Sequence, residues 1–225
     1  MFTIHLFSNL GKEDANWLHN KTDQLFTRIE NDNDFKNVNV FCITETWLDS
    51  QPDEIVKPPG YFIFRHDRDK IVTEKKDGGG VCFLISDKWC RNVKIISKCC
   101  TKNIEYLTIK CRPYYLPREF SSVTLTAVYI HPQANNQEAL NDLRSTITNN
   151  ENRDPDTLSI ISDDFNQANL TTVLPDYNQN VTCPTRGKNT LDHCYCKIKQ
   201  AYMSFERSGL GNSDHSCVLL LPKYK

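Results

Sequence analysis

The sequence predicts a mixed α/β fold in which two β-sheets pack against each other. Short runs rich in β-branched residues recur along the 225 residues, and the turn signal Pro58-Pro59-Gly60 introduces one of them. Two longer stretches instead repeat apolar residues at the spacing of an amphipathic helix. Many strands with a few interspersed helices are typical of a layered α/β domain.

The helices are predicted from this apolar periodicity. In residues 20–29, Leu25 and Ile29 lie on one face, and Trp17 and Leu18 precede them by one or two turns. The apolar face of the second helix, residues 135–149, consists of Ala139, Leu140, Leu143 and Ile147.

The strands are predicted as short β-prone runs between turn signals. They comprise residues 38–43, 61–64, 81–85, 93–97, 104–111, 123–130, 158–161, 191–196 and 217–221. No linker, repeat or low-complexity tract interrupts them, so we expect a single domain over residues 1–225.

The composition is that of a soluble, globular protein. Apolar residues make up 39% of the chain and charged residues 24%. The net charge of −1 gives no overall attraction to nucleic acid, so DNA binding would depend on a local basic patch. No run of about 18 apolar residues is available to cross a membrane, and the apolar stretch in residues 1–10 is too short for a secretory signal. We expect an intracellular protein, nuclear or cytoplasmic, that is neither secreted nor bound to a membrane.

The ten cysteines are irregularly spaced, and no two form a Cys-x-x-Cys pair. Without a secretory signal, this spacing favours reduced, buried thiols over a disulfide framework. His193, Cys194 and Cys196 supply only half of a zinc site with no second half, so we expect no zinc.

Four short polar pieces, far apart in the chain, follow or flank apolar runs. They are Glu45-Thr46-Trp47, Asp164-Phe165-Asn166, Leu191-Asp192-His193 and Ser213-Asp214-His215. Each piece alone is more typical of a solvated turn or a helix cap. Together, carboxylates, an amide and a histidine at strand ends predict a single active-site cleft formed by the ends of many strands. We call this cleft the mouth.

These residue types match the needs of phosphodiester cleavage. Glu45 is suited to hold a hard cation such as Mg²⁺. A histidine oriented by a carboxylate activates water or stabilises a transition state, and His215 with Asp192 fits that description. Asp164 and Asn166 are two residues apart, so extended backbone would direct both side chains the same way.

Longer strings around these pieces run through most of the chain. They are Thr44-Glu45-Thr46-Trp47-Leu48, Gly78-Gly79-Gly80-Val81-Cys82, residues 106–120, Val128-Tyr129-Ile130-His131-Pro132-Gln133-Ala134, Asp164-Phe165-Asn166-Gln167-Ala168-Asn169-Leu170, Pro184-Thr185-Arg186, Thr190-Leu191-Asp192-His193 and Leu210-Gly211-Asn212-Ser213-Asp214-His215. Over residues 16–224 the chain resembles the exonuclease–endonuclease–phosphatase superfamily. More narrowly, it resembles the apurinic-type endonuclease domain of non-LTR (LINE-type) retrotransposons. That resemblance implies a four-layer α/β sandwich, with two packed mixed β-sheets flanked by helices.

The resemblance also implies roles for residues at the mouth. Glu45 corresponds to the metal-binding glutamate, and Tyr129 to the tyrosine that contacts the scissile phosphate. Asp164 and Asn166 correspond to the pair that handles the proton and orients the phosphate.

Further roles follow from the matching strings near the C-terminus. Asp192 corresponds to the partner of His215, and Asp214 to a further carboxylate near metal and water. Thr185 resembles a polar contact to phosphate, and Arg186 would add positive charge at the backbone. A surface arginine is an equal alternative for Arg186.

Two positions depart from the family pattern. Asp163 stands where the family has glycine, so a positive φ at this position would strain it. A charge there would also raise the pKa of Asp164 and repel phosphate. At the first strand, Asp14 or, with a gap, Asn16 occupies the place of the family's asparagine.

The function predicted from the resemblance is a Mg²⁺-dependent DNA endonuclease that nicks one strand, with Mn²⁺ as the alternative cation. The alternatives are a catalytically impaired remnant of such a domain, or a phosphoesterase of the same superfamily acting on another substrate. Members of this group usually continue into a reverse transcriptase, and the chain stops at Lys225, so we expect a solitary, monomeric endonuclease domain.

One loop, residues 65–76, is a candidate contact to DNA. Its basic residues are Arg65, Arg68, Lys70, Lys75 and Lys76. Acidic residues are interspersed with them, so a solvated loop without a ligand is an equal alternative.

Overall fold

The computed structural model describes residues 1–8, 17–49, 51–75, 77–211 and 213–223, with only the backbone for residues 17–20. The strands are β1 (Ile4–Phe7), β2 (Val40–Thr44), β3 (Tyr61–His66), β4 (Val81–Ser86), β5 (Asn92–Cys100), β6 (Ile104–Arg112), β7 (Ser122–Ile130), β8 (Thr157–Asp164), β9 (Asn178–Gln179), β10 (Asp192–Cys196), β11 (Tyr202–Arg207) and β12 (Cys217–Pro222). The helices are α1 (Trp17–Asn31), α2 (Asn33–Lys36), α3 (Asp53–Val56), α4 (Lys70–Thr73) and α5 (Asn136–Arg153), with a 3₁₀ turn at Leu170–Thr172.

Within the described residues, the strands form two six-stranded sheets. Sheet A has the order β11-β12-β1-β2-β4-β3, and sheet B has the order β5-β6-β7-β8-β10-β9. The pairs β1–β2 and β7–β8 are parallel, and the remaining pairs are antiparallel. A parallel pair needs a long crossover, which α1 and α2 supply before β2 and α5 supplies before β8.

Apolar side chains fill the spaces between the layers. Alternation along β2 illustrates the division: Val40 and Cys42 belong to the core between the sheets, whereas Phe41 and Ile43 face the helices beside sheet A. A third cluster, which includes Leu143 of α5, fills the space between that helix and sheet B. Helices, sheet A, sheet B and α5 therefore form a four-layer α/β sandwich, which confirms the predicted fold class.

Both predicted helices and all the predicted strands are present. Beyond the nine strands predicted from β-prone runs, the structure has β1, β9 and β11. In β11 only Tyr202 is buried, and the sequence YMSFER includes three polar residues, so this strand lacks the apolar signal of the inner strands.

Strand ends converge on one edge of sheet B. Ile104 at the start of β6 lies opposite Ile130 at the end of β7. Asp164 at the end of β8 lies opposite Asp192 at the start of β10. The connections after β7 and β8 and those before β6 and β10 therefore open at the same side of the molecule.

The ten cysteines are free thiols, and most of them lie in the core. Cys194 and Cys196 belong to the cluster between the two sheets. Among the described residues, no helix is both long and apolar enough to span a membrane.

Candidate active site

The mouth begins at the turn that follows β2. Glu45 and Trp47 both adopt left-handed backbone conformations, with φ of 52° and 54°. The N–H of Thr46 donates to the carbonyl of Gly80 at 3.3 Å, and the N–H of Trp47 donates to that of Gly79 at 2.9 Å. The glycine loop before β4 thus supports the turn that carries Glu45.

Gly80 is required at its position for steric reasons. Its φ is 83°, and a Cβ atom there would lie 2.5 Å from the Thr46 hydroxyl oxygen. Real Cβ contacts are essentially never that short, so only glycine allows this close approach.

Tyr129 joins the Glu45 turn to sheet B. Its hydroxyl donates to Glu45 Oε1 at 2.6 Å, and its side chain is buried near the end of β7. Burial and the neighbouring Glu45 carboxylate raise the pKa of Tyr129, so the phenol stays protonated and acts as a donor. Burial likewise raises the pKa of Glu45, although the bond from Tyr129 opposes that shift.

His215 and Asp192 form a buried pair. His215 Nδ1 lies 2.9 Å from Asp192 Oδ2. Burial alone would lower the pKa of His215, but the bond to Asp192 and its charge raise it overall. Burial would raise the pKa of Asp192, and His215 reverses this so that it is lowered. The contact therefore favours the imidazolium and carboxylate forms of the pair, and it leaves Nε2 for a reacting group.

Thr185 lies behind Asp192. Its side chain is fully buried, and its hydroxyl oxygen accepts from the N–H groups of Leu191 and Asp192 at 2.9 and 3.1 Å. The structure gives Thr185 a place in supporting the start of β10, and it is not exposed to a substrate.

Asp164 and Asn166 remain neighbours but not in extended backbone. β8 ends at Asp164, and Asn166 is left-handed with φ 49°. Asp164 Oδ1 accepts from the Asn166 N–H at 3.0 Å, and the Asn166 amide donates to the Ile130 carbonyl at 2.7 Å. The expectation that an extended strand directs both side chains the same way was wrong, because the chain turns after Asp164.

Burial raises the pKa of Asp164 well above its usual value. The charges of Asp192 and Glu45 add to this effect, and His215 opposes it. A carboxyl group with a raised pKa is suited to exchanging a proton near neutral pH.

Asp163 has the positive φ that a glycine would accept, with a value of 100°. It is fully buried, its Oδ1 accepts from the Ser8 hydroxyl at 2.9 Å, and its Oδ2 has no hydrogen-bond partner among the described residues. Burial, followed by the charge of Asp192, raises its pKa well above the usual value. Burial therefore favours the neutral form of Asp163 inside the sandwich, which would lessen the expected repulsion of phosphate by a charge at this position.

Asp214 and Arg186 lie at the rim. Arg186 Nη2 contacts Asp214 Oδ2 at 2.5 Å, and their side chains are 41% and 46% exposed. Arg186, whose positive charge was predicted to lie near the phosphate, is thus paired with a carboxylate in this structure.

The basic residues of the loop 65–76 are mostly paired within the chain. Arg65 contacts Asp53 at 3.0 Å, and Lys70 contacts Asp49 at 2.7 Å. Arg68 is buried against Glu105. These pairings involve three of the five basic residues of the loop, so contact of these three with DNA would require exchange of an ion pair.

Some expectations fall outside the described residues. They concern Asp14 and Asn16, the candidates for the family's asparagine position, and Lys76 of the loop 65–76. Conversely, Glu105 and Ser8 were not predicted as part of the site. A single acidic or hydroxyl residue in or next to a strand carries no sequence signal that would identify it.

Among the described residues, no three His, Cys, Asp or Glu side chains form a group that could hold a metal ion. Mg²⁺, however, requires only one or two protein carboxylates and takes its other oxygens from water and substrate. Glu45 fits that role in donor chemistry, because burial disfavours its charged form and a cation would favour it.

The paired groups come from both sheets. Glu45 follows β2 of sheet A and bonds Tyr129 of sheet B, while His215 precedes β12 of sheet A and bonds Asp192 of sheet B. Ser8, after β1, likewise bonds Asp163 of β8. The mouth is thus assembled across the top of the sandwich.

No family model and no curated protein matches the sequence. Solved structures do match. An endonuclease/exonuclease/phosphatase family protein from Leptotrichia buccalis aligns over 100% of both chains with a TM-score of 0.66 and 11% identity. A mannosyl-6-phosphatase from Bacteroides thetaiotaomicron aligns over 100% of both chains with a TM-score of 0.63 and 11% identity.

A third solved structure, of D. rerio TDP2 complexed with a single strand DNA product, aligns over 97% of both chains with a TM-score of 0.62 and 12% identity. At these identities the likeness concerns the arrangement of the chain. The four-layer sandwich, with its mouth at one edge, therefore has the fold of endonuclease/exonuclease/phosphatase proteins.

Proposed function

We propose that this chain is a metal-dependent phosphoesterase of the endonuclease/exonuclease/phosphatase superfamily and that its substrate is DNA, of which it nicks one strand. The observation that carries the proposal is the meeting of two hydrogen-bonded pairs, Tyr129–Glu45 and His215–Asp192, with Asp164 at one edge of the sandwich. These groups match the requirements of phosphodiester hydrolysis in their chemical type.

Each group has a distinct task in this reaction. The imidazolium of His215 offers its Nε2–H to a phosphate oxygen, and Asp192 keeps it charged and oriented. Asp164 handles the proton of the reaction, because a raised pKa lets a carboxyl group bind and release a proton nearer to neutral pH. The Tyr129 phenol, as a donor, orients Glu45 beside the phosphate.

A divalent cation, Mg²⁺ or alternatively Mn²⁺, would be held by Glu45 and would neutralise charge on the phosphate and on the leaving oxygen. Arg186 would add charge at the rim after exchanging Asp214 for a phosphate. In an element of the retrotransposon type, the 3′-hydroxyl left by the nick would prime reverse transcription. A monomer inside the cell, in nucleus or cytoplasm, is the form we propose.

The test is cleavage of supercoiled plasmid by the purified protein with Mg²⁺, with Mn²⁺, and with chelator. We expect metal-dependent conversion to the open circle, and we expect Glu45→Ala and His215→Ala to abolish it. Lys94→Ala, at the opposite end of β5 from the mouth, is the control that keeps full activity. Nicking that survives both alanine substitutions would refute the assignment of these residues.

A second candidate function is hydrolysis of small phosphorylated molecules. It is supported by the likeness to the mannosyl-6-phosphatase, whose TM-score of 0.63 is similar to the 0.62 of D. rerio TDP2. Assaying sugar phosphates beside the plasmid separates the two, because a phosphatase releases inorganic phosphate from the sugar and leaves the plasmid supercoiled.

A third candidate, an impaired remnant of a DNA endonuclease, is supported by the strained and buried Asp163. It is distinguished from the other two by the behaviour of Asp163→Gly, which is described in the Discussion.

A further inference from the structure

Glu105 is a buried acidic residue beside the mouth that has no part in the proposed reaction. It lies in β6 directly opposite Tyr129 of β7, and its side chain is 3% exposed. Burying a carboxylate is costly unless it is paired and hydrogen-bonded. Its hydrogen-bond partners therefore indicate which parts of the structure the buried carboxylate stabilises.

Both carboxylate oxygens of Glu105 are engaged. Arg68 Nε donates to Oε1 at 2.6 Å, and Arg68 Nη2 contacts the same oxygen at 2.5 Å. The N–H of Gly80 donates to Oε2 at 2.7 Å. One side chain thus binds two separate parts of the segment between β3 and β4.

The first route from Glu105 leads to Glu45 through the backbone. Gly80 is fixed by Glu105, and the carbonyls of Gly79 and Gly80 accept from the N–H groups of Trp47 and Thr46. The left-handed turn of Glu45 therefore rests on a loop that Glu105 holds in place.

The second route leads to Glu45 through side chains. The guanidinium carbon of Arg68 lies 5.6 Å from the centre of the Tyr129 ring, a cation–π contact. Arg68 Nη1 also donates to the Asp77 carbonyl at 2.9 Å, so the guanidinium is fixed on three sides. The Tyr129 hydroxyl then donates to the Glu45 carboxylate.

We propose that Glu105 and Arg68 are positioning residues, which act through the Gly78–Gly80 loop and the Tyr129 ring to hold the Glu45 carboxylate at the mouth. The importance of that placement for turnover rests on the proposed function, whereas the placement itself does not. Neither residue touches the reacting atoms, so their effect is indirect.

The first test measures amide hydrogen exchange in the native chain, Glu105→Ala and Glu105→Gln. We expect the Thr46 and Trp47 amides in Glu105→Ala to exchange faster by about tenfold, the effect of weakening one hydrogen bond. Glu105→Gln keeps an acceptor for the Gly80 N–H, so we expect a smaller increase at Thr46.

The matched control is Asp154→Asn, which breaks the partly exposed Lys110–Asp154 ion pair of 2.7 Å at the other end of β6. We expect it to leave exchange at Thr46 and Trp47 unchanged. Faster exchange confined to Gly80, or equal acceleration through the whole core, would overturn the proposal.

The second test measures plasmid cleavage. In Glu105→Gln we expect kcat to fall about 10- to 100-fold with KM little changed, as for misplacement of a catalytic group. Adding Arg68→Met removes the unpaired buried cation, so the double variant recovers its unfolding midpoint but not kcat. Full recovery of kcat would mean that the pair serves stability alone.

The two tests separate the two proposals. If the native chain cleaves nothing, the proposed function fails, and the exchange of the Thr46 and Trp47 amides alone decides the positioning role.

Discussion

Left-handed backbone is concentrated at the mouth. Glu45, Trp47, Asp163 and Asn166 all have positive φ, although none is glycine. Each such conformation costs about 1–3 kcal/mol, and such residues are retained where the surroundings fix them. Asp163 differs from the other three because its φ of 100° combines with complete burial of a carboxyl group.

Replacing Asp163 with glycine tests that combination. We expect Asp163→Gly to raise the free energy of unfolding at pH 7 by about 1–3 kcal/mol, because it removes the backbone strain and an unpaired buried oxygen. We also expect faster plasmid nicking than in the native chain. Urea unfolding and plasmid cleavage measure the two effects, and a variant that is less stable and no more active would exclude Asp163 as a cause of impairment.

Asp163→Asn separates the charge from the strain. The pKa of Asp163 is raised in the folded chain, so the folded form binds the proton more tightly than the unfolded form. Its contribution to stability is complete below the unfolded pKa, about 4, and is lost as pH rises toward the folded pKa. We therefore expect the native chain to lose more stability than Asp163→Asn between pH 4 and pH 7, measured by urea unfolding. Parallel curves for the two proteins would contradict a neutral, buried Asp163.

At this scale the sequence predicted the residues that meet at the mouth better than the residues that support them. Glu45, Asp192 and His215 stand in short motifs, so their residue types and order identify them. Glu105 is a single acid in a strand, and Arg68 is one of several basic residues in a polar loop. Each of the two side chains is buried because it pairs with the other, and the two are far apart in sequence. No local sequence pattern indicates such a pairing.

At the scale of elements, the glycine loop before β4 connects the two routes to Glu45. Gly79 has φ 75°, and a Cβ atom there would lie 2.1 Å from Arg68 Nε. Space for the guanidinium therefore depends on this glycine. Gly187 offers a comparison, since its φ is 60° and nothing lies within 4 Å of the position of its Cβ.

Gly79→Ala and Gly187→Ala together separate steric clash from backbone strain. We expect Gly187→Ala to cost about 1–2 kcal/mol in the free energy of unfolding and to retain activity, because only the backbone conformation is disfavoured. Gly79→Ala must in addition displace Arg68, so we expect a larger loss of stability and reduced nicking. Equal losses, measured by urea unfolding, would show that Arg68 moves aside without cost.

The inner strands were predictable because their apolar runs are buried on both faces. The short edge strand β9 and the half-exposed β11 carry no such run. Their extended structure depends on pairing with β10 and β12. The turn after Asp164 was also missed, because the Asn166 amide is drawn to the Ile130 carbonyl of another strand. Tertiary contacts therefore decide these elements.

At the scale of the whole molecule, charge is nearly balanced, with a net charge of −1. Two basic side chains near the mouth are paired with carboxylates, in Arg186–Asp214 and Lys70–Asp49. Each basic residue that exchanges such a carboxylate for a DNA phosphate would add to the salt dependence of binding.

Arg186→Ala tests the part of Arg186 in that binding. We expect the slope of log affinity against log salt, for a duplex oligonucleotide in chelator, to become shallower by about 1. Lys94→Ala, at the far end of β5, is the control and leaves the slope unchanged. An unchanged slope in Arg186→Ala would mean that Asp214 keeps the guanidinium in the complex.

The hydrogen bonds that cross between the sheets have a mechanical consequence. Tyr129–Glu45, His215–Asp192, Ser8–Asp163 and Glu105–Gly80 all join sheet B to sheet A or to a loop at its end. Sliding one sheet over the other by a single side-chain width would break all of these pairs together, while each sheet kept its own ladder of backbone bonds. The arrangement of polar groups at the mouth therefore depends on how the two sheets are aligned, and loosening of the core between them would separate these groups while each strand stayed paired within its sheet.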